Sequence, residues 1–261
     1  MSEDEIAGFV RAAEQLAALA RRETLRPGLL EAADKNAGGA FDPVTEADRG
    51  AERVMREWIA ANLPDHGVSG EEYGETAGSG PWRWSLDPID GTRAYICGLP
   101  SWTTLIALLR EGRPVIGIID AARLDELCLG SPEGSWLQSG GSRRPLRTSG
   151  CRSLAEARFS TTDAYLFAGE EAEAFERVRR AARLTRYGLD AYAYARVAAG
   201  ALDLVVESGL KPHDYNALIP VVRGAGGLIG NWRGEDEFGE GKVVAAATPE
   251  LFEEAVRLLN S

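Results

Sequence analysis

The sequence predicts a layered sandwich, an α+β half followed by an α/β half. Three observations predict it. Apolar residues recur at helical spacing in two early segments. Several β-rich segments then follow one another across short turns, as antiparallel strands do. From about residue 146, strand and helix patterns alternate, as layered α/β structure requires. The expected division is 1–145 for the N-terminal α+β half and 146–261 for the C-terminal α/β half, with no flexible linker between them.

The elements read in order as follows. Ser2 and Glu5 form a capping-box pattern, and Ile6, Phe9, Val10, Ala13, Leu16, Ala17 and Ala20 then repeat on one helical face. Pro27 and the Gly38-Gly39 region end this helix and open a loop. A second helix runs from Thr45 to about Leu63, with Val54, Met55, Trp58 and Ile59 on one face and Pro64 stopping it. Trp82, Trp84 and Leu86 alternate as a strand that leads straight into Asp87. Segments 103–109 and 114–119 are β-rich and joined by Glu111-Gly112, a hairpin signal, and short strands follow near Leu127 and Trp136. The second half reads as a strand at 157–161, helices at 170–184 and 191–199, and a strand at 202–207. A helix from about Asp214, strands near Leu228 and at 243–246, and a last helix after Pro249 complete it. Gly224-Ala225-Gly226-Gly227 is a glycine cluster of the kind that ends a helix.

Composition excludes several function classes. The net charge of −11 over 261 residues repels nucleic-acid phosphates and anionic membranes, so an anionic substrate would need a recruited cation. Cys97, Cys128 and Cys151 are odd in number and far apart, so neither a disulfide framework nor a zinc site is expected. No basic leader with an apolar core and no membrane-length apolar run is present, and a reducing cytoplasm is the expected compartment. There is no GxGxxG, GxxxxGK[ST] or HExxH pattern.

The informative segment is Asp87-Pro88-Ile89-Asp90-Gly91-Thr92. A strand delivers Asp87, Pro88 stiffens the turn, and Asp90 follows three residues on, so both carboxylates can face one point. Gly91 permits a positive φ, and Thr92 can open a helix whose free amides suit a phosphate. Two close carboxylates raise each other's pKa or hold a cation, and an all-oxygen set suits Mg²⁺ or Mn²⁺. Taken alone, Asp-Pro and Asp-Gly also mark ordinary turns. Three weaker acidic segments accompany this one. Gly70-Glu71-Glu72 alone reads as a solvated pair, Thr45 with Asp48 alone reads as a helix cap, and Asp214 after His213 alone reads as a normal helix start.

Together, Asp48 in Val44-Thr45-Glu46-Ala47-Asp48, Gly70-Glu71-Glu72, Asp87-Pro88-Ile89-Asp90-Gly91-Thr92 and Asp214 ahead of Ala225-Gly226-Gly227 resemble the inositol monophosphatase family of Mg²⁺-dependent phosphatases, over about residues 5–255. The resemblance implies an inositol monophosphatase / fructose-1,6-bisphosphatase-like αβαβα fold, usually as a homodimer. It implies that Glu71, Asp87 and the Ile89 carbonyl hold a first metal ion. Asp87, Asp90 and Asp214 would hold a second, and Glu71 would contribute to a weaker third, with Mn²⁺ able to replace Mg²⁺. Asp48 and Thr92 would orient and deprotonate the attacking water, and the amides of Gly91 and Thr92 would hold phosphate oxygens. Two or three dications would reverse the repulsion between the carboxylates and a phosphate dianion. His66 and His213, the only two histidines, need no catalytic role.

Within the family, Arg93 after Thr92, Gly98–Leu108, Gly188-Leu189-Asp190-Ala191-Tyr192-Ala193-Tyr194 and Leu204–Pro212 resemble the bacterial histidinol-phosphate phosphatase branch. That branch implies hydrolysis of L-histidinol phosphate to L-histidinol and phosphate, a step of histidine biosynthesis. Asp190 and Glu207 would meet the cationic organic half, and Arg186 would help hold phosphate or orient the acids. Alternatives stay open: Asp190 as a cap of the 191–199 helix, Trp102, Tyr192 and Tyr194 as core, and Arg93 in a surface ion pair. Inositol 1-phosphate is the runner-up substrate, and a nucleotide 3′-phosphate is disfavoured by the acidity. A catalytically idle metal- or phosphate-binding protein is the alternative of another class. His213, where the family usually has Trp or Tyr, Asn216, where a small Ala is common, and the Gly38-Gly39 loop after Lys35 depart from the family pattern.

Overall fold

The computed structural model describes residues 1–28, 31–34 and 43–261, so Lys35, Gly38 and Gly39 lie outside the described residues. Helix α1 (Glu3–Thr24) starts at Ser2, whose hydroxyl accepts the Glu5 amide at 3.2 Å. Strands β1 (Ala32–Asp34) and β2 (Pro43–Thr45) form a small antiparallel ladder that leads into α2 (Glu46–Asn62). The large sheet then takes β3 (Gly67–Gly70), β4 (Gly74–Thr76) and β5 (Trp82–Asp90). After the short helix α3 (Thr92–Ile96) come β6 (Thr103–Arg110), β7 (Arg113–Ala121), β8 (Glu126–Ser131), β9 (Gly134–Ser139) and β10 (Ser142–Pro145). Its spatial order is β10-β9-β8-β7-β6-β5-β3-β4.

The second sheet is built from β11 (Arg158–Ser160), β12 (Leu184–Arg186), β13 (Leu204–Glu207), β14 (Leu228–Gly230) and β15 (Val243–Ala246), in the order β12-β11-β13-β15-β14. Between them lie α4 (Glu170–Ala181), α5 (Tyr192–Ala198), α6 (Pro212–Tyr215) and α7 (Leu218–Gly224), and α8 (Pro249–Leu259) closes the chain.

Strand alternation sets the layers. On β6, Ile106 and Leu108 face the core under α1 and α2, whereas Leu105, Ala107 and Leu109 face a second core containing α5 and α7. On β13, Val205 enters that same middle core, while Leu204 and Val206 face a third core with α4 and α8. The order is therefore helix, sheet, helix, sheet, helix, the αβαβα sandwich expected. The middle core joins Leu105 and Ile119 of one sheet to Val205 and Ala245 of the other, so the two sheets share buried apolar surface.

Two glycines seat the middle helices. A Cβ on Gly117 would meet the Ala217 carbonyl at 2.2 Å, and one on Gly130 would meet the Pro220 backbone at 2.3 Å. Bare backbone on β7 and β8 thus admits the α6–α7 segment directly onto the sheet.

Several expectations need correction. The strands of the first half are not all antiparallel, because β3 runs parallel to β5. The helix expected to continue to residue 184 ends at Ala181, and Leu184–Arg186 instead pairs in parallel with β11. The helix expected from Asp214 is broken into α6 and α7. Pro220 has no N–H to offer Asn216, four residues back, so the hydrogen-bond ladder is interrupted there although Asn216 and Ala217 keep helical φ and ψ. The glycine cluster does end α7: Gly226 has φ +89°, and the amides of Gly226 and Gly227 return to the carbonyls of Arg223 and Val222 at 2.9 and 3.0 Å. Among the described residues no helix is long and apolar enough to cross a membrane.

Candidate active site

The acids converge at the C-terminal end of β5. Asp87 and Asp90 lie on either side of an irregularity in the β5–β6 pairing, which turns both carboxylates toward one point. The turn is fastened by Thr104, which donates to the Pro88 carbonyl at 2.7 Å, and by Thr92, which donates to the Ile89 carbonyl at 3.0 Å. Gly91 adopts φ +81° and starts α3, leaving Thr92 as its first helical residue. That left-handed conformation costs glycine little and a branched residue much more.

The parallel pairing of β3 with β5 puts Gly70 opposite Leu86, and the Glu71 amide donates to the Leu86 carbonyl at 3.1 Å. Glu71 and Asp87 therefore leave adjacent strand ends side by side. Asp48 comes from the first turn of α2, where it closes the expected capping box: its Oδ2 accepts the Thr45 amide at 2.8 Å. Its other oxygen, Oδ1, is buried with no partner. The cap and the site reading thus use different oxygens of one side chain.

Asp214 arrives on α6 from the other half of the chain. Its Oδ2 accepts the Lys211 amide at 2.6 Å, and His213 Nε2 lies 3.5 Å from Oδ1. Asn216 donates to the Ser85 hydroxyl at 3.2 Å and so ties the end of α6 to β5. Asn216 and His213, two of the three expected departures from the family pattern, thus both touch this junction. His66 lies elsewhere, where it accepts the Trp84 indole N–H at 3.1 Å and burial lowers its pKa.

Carboxylate oxygens of Asp87, Asp90 and Asp214 lie within 4.8 Å of one another. Burial first, then the charges of Glu71, Asp90 and Asp214, pushes Asp87 well above the usual carboxylate range. Asp90 is raised by burial and by Asp190 and Asp214, and burial likewise raises Asp48 and Asp214. Asp87 Oδ1, like Asp48 Oδ1, is buried without a hydrogen-bond partner. A mutually repelling, oxygen-only set, with Asp87 buried, Asp90 and Asp214 partly buried, and unused lone pairs, is what a hard divalent cation needs. The residues present therefore fit a metal centre.

A cavity of about 200 Å³ opens beside this cluster and is lined by Asp90, Asp190, Glu207, Asp214, Tyr194, Thr162, Ser208, Leu166 and Leu218, among others. Among the described residues, its lining contains no Lys, Arg or His. Burial pushes the Asp190 pKa up to about 6 although the Arg93 charge draws it down, and burial pushes Glu207 up to about 8 against hydrogen bonds from Thr162 and Thr161. Asp190 does not cap α5 with its side chain, as one reading allowed. It sits at φ +46°, with its carboxylate 3.0 Å from where a Cβ on Gly91 would stand. Aspartate tolerates this left-handed region better than most residues, and here it sets the carboxylate against Gly91.

The chain matches the model of the inositol monophosphatase family over residues 2–261. The chain belongs to the inositol monophosphatase family. Members of this family are metal-dependent phosphatases that act on small phosphorylated substrates. The chain is 43% identical over 215 residues to the bifunctional phosphatase IMPL2, chloroplastic, of Arabidopsis thaliana, a match covering 80% of this chain and 60% of that protein. It is 36% identical over 206 residues to a histidinol-phosphatase of Chlorobaculum parvum, covering 78% of each. In three dimensions it resembles an inositol monophosphatase from Zymomonas mobilis with a TM-score of 0.86 and 36% identity, covering 100% of both chains.

Seen as a member of this family, the chain brings Asp48, Glu71, Asp87, Asp90, Thr92 and Asp214 to one end of β5, with Asp190 and Glu207 across the adjoining cavity. Arg186 is not in the cavity lining. It is exposed on the edge strand β12, and its carbonyl accepts the Thr161 amide at 3.2 Å. The open aromatic alternatives divide. Trp102 is core, packed edge-on against Tyr95, and Tyr192 bonds Glu126 at 2.9 Å. Tyr194 lines the cavity with a buried hydroxyl that has no partner. Sequence reasoning also passed over Glu52, a buried acid on α2 whose one available signal was its spacing of four residues from Asp48.

Proposed function

We propose that this phosphatase hydrolyses a small phosphate monoester whose organic half is cationic, with L-histidinol phosphate, giving L-histidinol and phosphate, as the first choice. The carrying observation is the cavity beside the acid cluster, which presents Asp190 and Glu207 and, among the described residues that line it, no basic side chain. A neutral polyol gains little from two carboxylates, whereas an ammonium and an imidazole would hold both of them ionised.

In this reading Glu71, Asp87, the Ile89 carbonyl, Asp90 and Asp214 hold Mg²⁺. Bound there, the cation supplies the positive charge that offsets the phosphate dianion and acidifies water. The protein's own groups do the rest. Asp48, with Oδ1 free and Oδ2 pinned to Thr45, accepts a proton from the attacking water, and Thr92 helps orient that water. The amides of Gly91 and Thr92 hold phosphate oxygens at the start of α3. The water attacks phosphorus, the ester oxygen departs with its electron pair and takes a proton from solvent water, and Asp48 returns the proton it accepted to solvent, which leaves the alcohol and phosphate.

The test is phosphate release from L-histidinol phosphate, inositol 1-phosphate and a nucleotide 3′-phosphate, with and without Mg²⁺. Preferential, Mg²⁺-dependent turnover of histidinol phosphate is expected. The likeness to the inositol monophosphatase from Zymomonas mobilis makes inositol 1-phosphate the specific competitor. Preference for that ester overturns the substrate assignment, and no turnover at all would indicate an idle binder.

A further inference from the structure

Glu52 lies one helical turn beyond Asp48 on α2 and is fully buried. Its carboxylate does not join the acid cluster. Oε2 accepts the Glu72 amide at 2.7 Å, Oε1 accepts the Tyr73 amide at 3.2 Å, and Arg56 Nε closes on Oε1 at 2.7 Å. The same Arg56 donates to the Thr76 hydroxyl at 3.1 Å and to the Gly74 carbonyl. One ion pair on α2 thus grips the turn after β3 through two amides on one side and a carbonyl and a hydroxyl on the other.

The approach is close enough to dictate sequence. A Cβ on Gly70 would stand 2.0 Å from Glu52 Oε1, so the glycine of Gly70-Glu71-Glu72 is required by the carboxylate lying against it. The grip is also needed. β4 is three exposed residues at the outer edge of the large sheet, a place where a ladder alone holds backbone weakly. Glu71 sits at the root of that turn, next to Asp87. Asp48 and Glu52 therefore share one face of one helix: the first reaches the acid cluster, and the second sets the backbone that delivers Glu71 to it.

We propose that Glu52, locked by Arg56, is a positioning residue that presents Glu71 to the divalent cation. The proposal rests on the metal reading of the site and is independent of which ester is hydrolysed. The test uses the full chain carrying Glu52→Gln or Arg56→Lys. Mn²⁺ and Mg²⁺ are titrated calorimetrically into the metal-free protein, and hydrogen exchange is followed across residues 71–76. Glu52→Gln keeps the shape but loses the charge that pairs with Arg56 and with both amides. Metal affinity is expected to fall about tenfold, the scale seen when groups supporting metal ligands are removed. Faster exchange is expected to be confined to the turn. At saturating metal kcat should stay near the unaltered value, while the metal concentration for half-activation rises by a similar factor. Arg56→Lys should lie between, and it decides the matter on the same readouts if Glu52→Gln does not fold. Ile59→Val, on the same helix but away from the turn, controls for lost stability. Unchanged metal affinity in both turn variants, or an equal loss in Ile59→Val, overturns the proposal. If the unaltered chain binds no dication, the metal reading falls and takes the proposal with it. Metal binding without hydrolysis of histidinol phosphate overturns only the substrate assignment.

Discussion

The amide of Ala191 donates to Oδ2 of Asp90 at 2.7 Å, joining residues 101 positions apart. The start of α5, in the second half of the chain, thereby holds an acid delivered by β5 in the first. Asp90→Asn keeps an oxygen for this bond but removes a charge from the cluster. Phosphatase activity should fall about 10²-fold or more, equivalent to ~3 kcal/mol of barrier. The metal-free variant should melt no lower than the parent, because repulsion with Asp190 and Asp214 is relieved. Steady-state kinetics with Mg²⁺ and thermal melts with chelator check both. A tenth or more of parental activity retained would remove Asp90 from the chemistry.

Metal-free stability should depend on pH in the direction opposite to an ordinary salt-bridged protein. Asp48, Asp87, Asp90, Asp190, Asp214 and Glu207 all have folded pKa values raised above the usual range, with Asp190 at about 6 and Glu207 at about 8. Groups raised on folding favour the native state most when protonated, and that advantage is lost as pH rises through the folded values. The chelated protein should therefore lose stability steadily between about pH 5 and pH 8, in proportion to these shifts. Added Mg²⁺, which needs ionised ligands, should stabilise more as pH rises. Denaturant melts across this range, with chelator and with Mg²⁺, check the crossing trends. A chelated protein at its most stable at pH 8 would contradict the burial of these acids.

Specificity should separate from chemistry at Asp190. Asp190→Asn removes one of the two carboxylates proposed to meet the cationic half of the substrate, Asp190 and Glu207, while leaving Asp87, Asp90 and Asp214 untouched. KM for histidinol phosphate should rise about tenfold, the worth of one charge-assisted contact of ~1.4 kcal/mol, with little change for inositol 1-phosphate. Paired kinetics on the two esters decide it, and equal effects on both would assign Asp190 to structure.

The seat of α7 gives a prediction about stability alone. Gly130→Ala drives a methyl group into the Pro220 backbone, where neither strand nor helix can give way cheaply. The cost should be about 1–3 kcal/mol, or a fall in Tm of roughly 2–4 °C for each kcal/mol in a chain of this size. Scanning calorimetry measures it, and an unchanged Tm would show that the helix slides freely on the sheet.

Much of this architecture could be read from the residues. Both early helices declare themselves because their apolar faces are regular and capped, and β5 because Trp82, Trp84 and Leu86 alternate up to Asp87. What escaped was structure whose energy comes from neighbours distant in sequence. β4, β10 and β12 are edge strands of three or four residues, and nothing local distinguishes them from loops. The parallel pairing of β3 with β5 depends on where α2 deposits the chain. The acids legible from their own motifs are those on turns, notably Asp87 and Asp90. Glu52 was illegible because a buried carboxylate on an amphipathic helix looks like any solvent-facing one until its partners, the amides of Glu72 and Tyr73, are located. The unpartnered hydroxyl of Tyr194 was hidden in the same way by an aromatic pattern that also describes ordinary core.

The continuous apolar layer between the two sheets has an evolutionary consequence. Because Leu105 and Ile119 share it with Val205 and Ala245, recombination that exchanged either half for that of a distant cousin would mismatch dozens of interlocking surfaces at once. Change is left to single substitutions along the cavity lining, where, under the proposed substrate reading, a new side chain at Leu166 or Asp190 would retune recognition while the acid cluster stays intact.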